Sequence, residues 1–371
     1  MAQSFDIPAD VVALCDYERT ARERLPGMVS AWLDGGAADG LTHAENLTAW
    51  RRIRLQGRVL TDLRGASTGL TLFGQAMDHP LILAPVAYHH LAHPEGESAT
   101  ALGAAATGTV MTVSTLASTR IEDLGAGAPG PLWFQLYVQA QRYDTESLIA
   151  RAEAAGCRAL MVTVDAPVKL RNTEARIGFR LPDGISAVNT AGMAVAQVQT
   201  IPGRSPAFLG LLDSAPRWED IAWIRSRTRL PLILKGITSA PDARRALEMG
   251  VDGIVVSNHG GRALDSLPAS AEILPHIADA VGGRMVLLCD GGIRRGTDVL
   301  KALALGASAV MIGRPQIHAL ATAGAQGVAH MLTILRAELE VAMAQTGCRS
   351  LHDISRDVLW PGDGLPAGPR F

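Results

Sequence analysis

The chain has few cysteines, no excess of one charge sign and no long hydrophobic run. Its four cysteines, Cys15, Cys157, Cys289 and Cys348, lie far apart and form no C-x-x-C pair. That spacing argues against a zinc site and against a disulfide framework. We therefore predict buried thiols in a reducing compartment and no bound metal.

The charge balance and the apolar segments exclude two classes of partner. Lys and Arg number 34 and Asp and Glu 36, giving a net charge of −2, whereas nucleic-acid binding needs a basic surface. No segment reaches the roughly 18 apolar residues of a membrane span, and no signal peptide is visible at the N-terminus. The sequence therefore predicts a cytoplasmic protein with neither a nucleic-acid nor a membrane partner.

What the chain does contain is a regular series of short apolar runs. Eight of them are bounded by turn residues, at 81–85, 110–114, 132–137, 159–165, 232–236, 253–258, 285–292 and 309–314. Each has the length of a strand and lacks polar alternation, which is typical of strands buried on both faces.

Helical signals occupy the segments between these runs. Residues 239–248 begin with Ser239 as an N-cap, followed by Pro241 in the first turn, and residues 145–155 and 297–305 each end at a glycine. Eight strands alternating with helices predict a (β/α)₈ TIM barrel. The alternative is an open doubly wound sheet. The even strand count and the absence of an early G-x-G-x-x-G favour the barrel.

The whole chain, residues 1–371, is predicted to form one domain around this barrel at 80–345. Residues 1–75 precede the first strand as an N-terminal helical extension. Residues 183–216, after strand 4, form a connection long enough to predict a mobile active-site loop. Residues 346–371 are predicted to form a C-terminal tail.

The carboxyl ends of the predicted strands carry residues suited to ligand contact, and active sites of TIM barrels lie at these ends. In strand order they include Pro85, Val86, Ala87 and Tyr88; Ser114; Gln135 and Tyr137; Thr163 and Asp165; Lys235; Ser257, His259 and Arg262; Asp290, Gly292 and Arg294; and Gly313 and Arg314. Any one of these alone is more often structural, but their joint placement favours a functional site.

Two features at the strand ends suggest an anionic ligand. Glycines followed by arginines come after the seventh and eighth predicted strands, at 285–292 and 309–314. They predict a phosphate site, because backbone N–H groups and guanidinium groups bind phosphate. Lys235 has no acidic neighbour in the sequence, so we expect a second negative centre of the ligand beside it.

The chain resembles the FMN-dependent α-hydroxy-acid oxidases and dehydrogenases, such as glycolate, lactate and mandelate oxidase. The resemblance extends from about residue 15 to 356. Its motifs include LPGMVSAWLDGGAADGLTHAEN (25–46), WFQLYV (133–138), TVDAP (163–167), LPLILKG (230–236), VSNHGGRALD (256–265) and CDGGIRRGTDVLKALALGA (289–307).

The resemblance implies FMN at the mouth of the barrel. It assigns the backbone of Pro85, Val86 and Ala87 to the flank of the flavin ring, and Lys235 to the ring edge where reduction builds negative charge. The other residues it assigns to the isoalloxazine and ribityl groups are Ser114, Gln135, Thr163 and Ser257; those it assigns to the ribityl-phosphate end are Asp290, Gly292, Arg294, Gly313 and Arg314.

Oxidation of a 2-hydroxy acid to a 2-oxo acid removes a proton and a hydride equivalent. His259 is the candidate general base, because its ordinary pKa of about 6.5 lets it cycle near neutral pH. Asp165 would orient its imidazole, Arg262 would bind the substrate carboxylate and Tyr137 would bind a substrate oxygen.

The differences from the family pattern cluster on substrate contacts. Trp32 stands where the family usually has a carboxylate-binding tyrosine. Asn172 stands at the position of a second carboxylate-binding arginine, although a one-residue gap would place Arg171 there. After strand 1, Tyr88 lies where the pocket would accept a substrate side chain. We therefore expect an aromatic or bulky, mandelate-like substrate.

Several alternatives stay open at this point. The substrate could be a hydroxy-acid derivative without a free carboxylate, or the chain could be a flavin-binding homologue that has lost turnover. Another flavin or phosphate-binding barrel, such as an isomerase, is disfavoured by His259 and Arg262. The electron acceptor is O₂ or another oxidant, and the resemblance implies a homo-oligomer, a tetramer.

Overall fold

The structure is a computed structural model that describes residues 6–167, 172–194, 202–203, 212 and 215–362. Arg171 and half of the predicted loop at 183–216 therefore lie outside the described residues. The described part of that loop includes a short 3₁₀ turn, Val188–Thr190.

The N-terminal segment is helical, as predicted, but it ends in a hairpin that the sequence did not predict. Its helices are α1 (Leu14–Arg24), α2 (Gly27–Asp34) and α3 (Leu41–Arg52). Strands β1 (Leu70–Leu72) and β2 (Gln75–Met77) then pair in antiparallel fashion.

Eight parallel strands close into a barrel, so the predicted TIM barrel is confirmed and the open doubly wound sheet is wrong. Each strand coincides with one predicted apolar run, and β7 extends one residue beyond its run. They are β3 (Leu81–Leu83), β4 (Val110–Ser114), β5 (Leu132–Leu136), β6 (Leu160–Thr163), β7 (Leu232–Ile237), β8 (Gly253–Val256), β9 (Val286–Cys289) and β10 (Ala309–Ile312), with β10 pairing with β3.

Helices surround the barrel and connect its strands. They are α4 (Gly96–Ala105), α5 (Ile121–Gly127), α6 (Arg142–Ala154), α7 (Asn172–Ile177), α8 (Trp218–Arg227), α9 (Ala240–Glu248), α10 (Ser270–Val281), α11 (Gly296–Ala304) and α12 (Arg314–Thr346). The Ser239 side chain accepts a hydrogen bond from the Asp242 backbone N–H, which confirms the predicted cap of α9. Helix α12 is interrupted at Ala323 and Gly324, where the backbone leaves helical geometry.

The interior of the barrel is packed with side chains and closed at one end by the hairpin. Ile82, Trp133 and Met311 belong to this interior cluster and are almost fully buried. Phe73, in the β1–β2 turn, meets the Trp133 ring edge-on at 5.7 Å between centroids. The hairpin leads directly into β3 and so closes the amino ends of the strands, which leaves the carboxyl ends for a ligand.

The cysteine prediction is correct for three residues and wrong for one. Cys157, Cys289 and Cys348 are buried, whereas Cys15 is exposed because it lies on the solvent side of α1. All four lie within the described residues and are free thiols. Among the helices that the structure describes, none has the length and apolar character needed to cross a membrane.

Candidate active site

A cavity of about 380 Å³ opens at the carboxyl ends of the barrel strands. Its lining contains most of the predicted site residues: Trp32, Pro85, Val86, Ala87, Tyr88, Ser114, Gln135, Tyr137, Thr163, Lys235, His259, Arg262, Asp290, Gly292, Arg294, Gly313 and Arg314. Asp165 and Ser257 are absent from this lining, but each is hydrogen-bonded to a residue that belongs to it. Arg171 is outside the described residues, and the side chain of Asn172 is not described.

His259 and Asp165 form a close, largely buried pair. Nδ1 of His259 lies 2.9 Å from Oδ1 of Asp165, and the two side chains are 18% and 11% exposed. A carboxylate can only accept at this contact, so the neutral imidazole carries its proton on Nδ1 and its basic lone pair on Nε2. Gly236 makes room for this pair, since a Cβ there would lie 2.4 Å from the Asp165 side chain.

The turn that follows β8 is held in place by α3. Asn258 exchanges two side-chain hydrogen bonds of 2.9 Å with Asn46 of α3. His259 adopts a left-handed backbone conformation with φ 59°. Gly261 also has positive φ, and a Cβ there would lie 2.5 Å from the backbone nitrogen of His43. The glycine is therefore required by the close approach of α3.

Lys235 has no acidic neighbour in the sequence, but the fold gives it an acidic partner. Its Nζ lies 2.7 Å from Oδ2 of Asp290 and donates to Oγ of Ser257 at 2.8 Å. Burial opposes the charge of Lys235, but attraction to Asp290 and Asp165 outweighs it and raises the pKa of the lysine. The sequence did not show this pair because strands β7 and β9 become close only when the barrel forms.

Three arginines that line the cavity, Arg262, Arg294 and Arg314, concentrate positive charge there. Arg314 donates hydrogen bonds to the carbonyl oxygens of Leu33, Gly260 and Gly35 at 2.8 to 3.0 Å. Its burial, together with repulsion from Arg262 and Arg294, lowers the pKa of Arg314 to about 9. The cluster would be stabilised by an anion, because like charges in a buried site repel each other strongly.

The backbone near these arginines fits a phosphate. Helix α12 begins at Arg314, so its N-terminal N–H groups and dipole lie beside the cavity. A Cβ at Gly313 would meet no atom within 4 Å, so the space beside it is open to a ligand. Oδ1 of Asp290 is buried and has no hydrogen-bond partner among the described residues, which leaves it available to a donor on a ligand. These features fit a ligand with both a phosphate and hydrogen-bond donors.

Comparison with known proteins identifies the family. The sequence profile of the FMN-dependent dehydrogenases matches residues 21–361. The chain belongs to this family. An L-lactate oxidase of Alicycliphilus denitrificans is 46% identical over 97% of this chain and 100% of its own length. Glycolate oxidase 3 of Arabidopsis thaliana is 42% identical over 94% of this chain and 95% of its own length.

A solved structure agrees with the sequence comparison. The crystal structure of a mandelate oxidase superposes with a TM-score of 0.86 at 42% identity, covering 94% of this chain and 98% of the other. The predicted family is thus confirmed, and the protein is an FMN-dependent oxidoreductase of the hydroxy-acid oxidase type. FMN carries both a phosphate and hydrogen-bond donors, so the residues at the barrel mouth fit this cofactor.

In this FMN-dependent dehydrogenase, Arg262 is positioned by the end of α2. Its Nη1 donates to the carbonyl oxygens of Trp32, Leu33 and Gly35 at 2.8, 3.0 and 2.9 Å. Its Cζ lies 5.3 Å from the centre of the Trp32 ring. The orientation of the guanidinium therefore depends on Trp32 and on the backbone carbonyls that follow it.

One wall of the cavity is aromatic, and sequence reasoning missed part of it. The rings of Trp32 and Phe179 stack with centroids 5.3 Å apart and an interplanar angle of 12°. The ring centroids of Tyr88 and Trp32 are 6.3 Å apart. Leu181 and Glu174 also line the cavity. Phe179, Leu181 and Glu174 belong to the segment after β6, whose position relative to the barrel no local pattern predicts. The apolar pair at 179 and 181 was the available signal.

Proposed function

We propose that the protein oxidises an aromatic or similarly bulky, mandelate-like 2-hydroxy acid to the 2-oxo acid, with FMN as the cofactor. The observation that supports this substrate class is the stack of Trp32 and Phe179, which lines the same cavity as His259. Aromatic side chains favour aromatic ligands through both buried area and ring stacking.

His259 is the residue to which we assign proton transfer. Asp165 keeps the Nδ1 proton in place, so Nε2 accepts the proton that leaves the substrate. As the imidazolium forms, the carboxylate 2.9 Å away stabilises its charge. When bound, FMN supplies the two-electron acceptor.

Arg262 and Tyr137 are the residues to which we assign substrate binding. With Nη1 of Arg262 engaged by the end of α2, the remaining edge of the guanidinium is assigned to the substrate carboxylate. The Tyr137 hydroxyl is assigned to a substrate oxygen. Trp32 then contributes a ring rather than a hydroxyl, since indole has one N–H and no oxygen.

We assign two groups of residues to FMN. A polar row crosses β4, β5 and β6: Oγ of Ser114 donates to Oε1 of Gln135, and Nε2 of Gln135 donates to Oγ1 of Thr163, at 3.3 and 2.9 Å. We assign this row, the backbone at 85–87, and Lys235 with its partner Ser257 to the flavin and ribityl groups. Arg294, Arg314, Gly292, Gly313 and Asp290 are assigned to the ribityl-phosphate end.

A second candidate substrate is a 2-hydroxy-acid derivative without a free carboxylate. The observation that favours it is the engagement of Arg262 by three backbone carbonyls, combined with Trp32 at its side. A variant of mandelate oxidase has been solved with 2-hydroxy-phenylacetamide, the amide of mandelate. Including this amide among the substrates tested separates the two candidates.

We further propose O₂ as the electron acceptor, a cytoplasmic location and a homotetrameric assembly. The acceptor and the assembly extend from the family, in which L-lactate oxidases and glycolate oxidases occur. The cytoplasmic location is the expectation from the sequence. The amount of peroxide formed per substrate consumed tests whether O₂ is the acceptor. Light scattering of the purified protein measures the assembly.

A substrate panel tests the proposed function. We expect kcat/KM for mandelate to exceed that for lactate and glycolate by roughly tenfold or more, because added apolar contacts each improve transition-state binding. Phe179→Ala should lower kcat/KM for mandelate and leave that for lactate within about twofold. Leu102→Ala, an exposed position on α4, serves as the control. A preference for glycolate in the unmodified enzyme would contradict the aromatic assignment.

A further inference from the structure

We propose that Asp34 and His318 are positioning residues for the substrate carboxylate, because their contact fixes the backbone carbonyls that orient Arg262. The inference deepens the proposed function and rests on it, since Arg262 is the residue that we assign to the carboxylate. Neither Asp34 nor His318 lines the cavity, so the pair acts on the substrate through Arg262.

The Asp34–His318 contact joins the end of α2 to the start of α12. Asp34 is the last residue of α2, and its Oδ1 lies 3.0 Å from Nε2 of His318. His318 is one turn after Arg314 in α12, and its side chain is 2% exposed. The contact therefore ties α2 to the helix that begins at one of the cavity's arginines.

The second oxygen of Asp34 is held by α1. Nε of Arg22 donates to Oδ2 of Asp34 at 2.9 Å. Burial opposes the negative charge of Asp34, but hydrogen bonds and attraction to His318 and Arg22 outweigh it and lower the pKa of the carboxyl. An ionised carboxylate only accepts hydrogen bonds, so Nε2 of His318 is the donor in their contact.

The residues on either side of Asp34 carry the carbonyls that orient two arginines. The Leu33 carbonyl oxygen accepts from Nη1 of Arg262 at 3.0 Å and from Nε of Arg314 at 2.9 Å. The Gly35 carbonyl oxygen accepts from the same two guanidinium groups, at 2.9 and 2.8 Å. A shift or rotation of the end of α2 would therefore disturb all four hydrogen bonds.

Apolar packing also joins α2 to α12, but it does not fix the position of the carbonyls. Leu33 belongs to a buried apolar cluster with Ile317 and Ala321 of α12. Apolar contacts are non-directional, whereas a hydrogen bond fixes both distance and angle. We therefore expect loss of the Asp34–His318 pair to displace the end of α2 without unfolding it. A guanidinium binds a carboxylate best in one orientation, so the displacement weakens acid binding.

The negative charge of Asp34, taken alone, predicts the opposite effect on binding. Burial lowers the pKa of Arg294 and Arg314, and attraction to Asp34 partly opposes this. If Asp34 acted only as a counter-charge, its removal would leave the cavity more positive and would strengthen the binding of an acid. Positioning predicts weaker binding, so the sign of the change separates the two roles.

The test measures binding without turnover, by calorimetric titration of the FMN-loaded enzyme. Two acid–amide pairs lack the hydroxyl that is oxidised: phenylacetate with phenylacetamide, and propionate with propionamide. His318→Leu removes the donor, His318→Gln keeps an N–H donor in its side-chain amide, and Asp34→Leu removes the acceptor. Tyr17→Phe is the matched control, because it removes a 2.8 Å hydrogen bond between α1 and His330 of α12 in which α2 takes no part.

We expect His318→Leu and Asp34→Leu each to weaken phenylacetate binding by about fivefold or more. This is part of the contribution of a charged hydrogen bond, since Arg262 is displaced but not removed. Phenylacetamide should bind within about twofold of the unmodified enzyme, because it has no charge for the guanidinium to orient. His318→Gln should restore most of the acid affinity. Tyr17→Phe should lower the melting temperature and leave both affinities unchanged.

The proposal is overturned if acid affinity is unchanged in both leucine variants, or if acid and amide lose affinity in parallel. Tighter acid binding by Asp34→Leu also overturns it, because Asp34 is then a counter-charge only. If His318→Leu does not fold, Asp34→Leu decides the question, since Asp34 is partly exposed.

Failure of the proposed function gives a different result. If the unmodified enzyme prefers the acid only in the propionate pair, the aromatic assignment fails, and the same variants are then compared on propionate and propionamide. If it prefers neither acid over its amide, Arg262 binds no carboxylate and the positioning proposal is overturned.

Discussion

Two other residues determine the tautomer and the position of the His259 side chain. Asp165 fixes its tautomer from 2.9 Å, and Gly236 leaves the space that Asp165 occupies. The residue types at the strand ends could be predicted from the sequence, because each follows an apolar run. The left-handed backbone of His259 and its distance to Asp165 could not, since the turn packs against α3 and Asp165 comes from another strand.

Replacing His259 tests its assigned role. His259→Gln keeps a polar side chain of similar size beside Asp165 but removes the basic nitrogen. We expect the rate of flavin reduction to fall roughly 10²- to 10⁴-fold, the usual contribution of a general base. Stopped-flow absorbance under anaerobic conditions measures it. The FMN content of the variant should stay unchanged. If the rate of flavin reduction fell by less than about tenfold, His259 would not be the general base.

Replacing Arg262 separates substrate binding from structural support. Arg262→Ala should raise KM for mandelate about 30-fold or more, because the charged hydrogen bonds to the carboxylate are lost. The variant should also melt at a lower temperature, since the carbonyls of Trp32, Leu33 and Gly35 lose a donor.

Arg244→Ala, at an exposed position on α9, is the control for Arg262→Ala. An unchanged KM in Arg262→Ala would mean that another residue holds the acid group, and Arg171 would be examined first. If turnover of the amide, but not of mandelate, survived in Arg262→Ala, the carboxylate would be the group that Arg262 binds.

Secondary-structure elements differ in how well the sequence predicted them. The barrel strands and helices α6, α9 and α11 were predicted because apolar runs, an N-cap serine and terminal glycines are local signals. The β1–β2 hairpin was missed because each strand has three residues, too few for a period to show. Trp32 of α2 was predicted to lie in the site, but the support that the end of α2 gives to Arg262 was missed because it acts through backbone carbonyls.

The turn after β9 shows how closely the elements pack at the site. Gly292 has φ +81°, and a Cβ there would lie 1.9 Å from the carbonyl oxygen of Asn46 on α3. We expect Gly292→Ala to displace α3, lower the melting temperature and weaken FMN binding, because both the space and the conformation exclude a side chain. Thermal melts with and without added FMN measure these effects.

Gly127→Ala provides the comparison for Gly292→Ala. Gly127 lies in α5, and a Cβ there meets no atom within 4 Å. Its replacement should leave the melting temperature unchanged or slightly higher. Equal melting temperatures for both variants would show that α3 does not constrain the turn.

At the scale of the whole molecule, barrel closure is what assembles the site. Tyr137 and Arg314 are 177 residues apart in the sequence, from 137 to 314, yet both line one cavity because the strands close on themselves. The end at which the cavity lies was predictable, since TIM barrels bind ligands at the carboxyl ends of their strands. The contribution of Phe179 and Glu174 was not, because α7 and the turn that follows it bring these residues to the cavity.

The central claim is that the cavity oxidises an aromatic 2-hydroxy acid with FMN. Anaerobic mixing of the purified, FMN-loaded enzyme with mandelate tests it most directly, because loss of the visible flavin absorbance reports electron transfer without any external acceptor. The account predicts rapid bleaching by mandelate and slower bleaching by lactate and glycolate. Flavin that keeps its colour with mandelate but is bleached by glycolate would contradict the account.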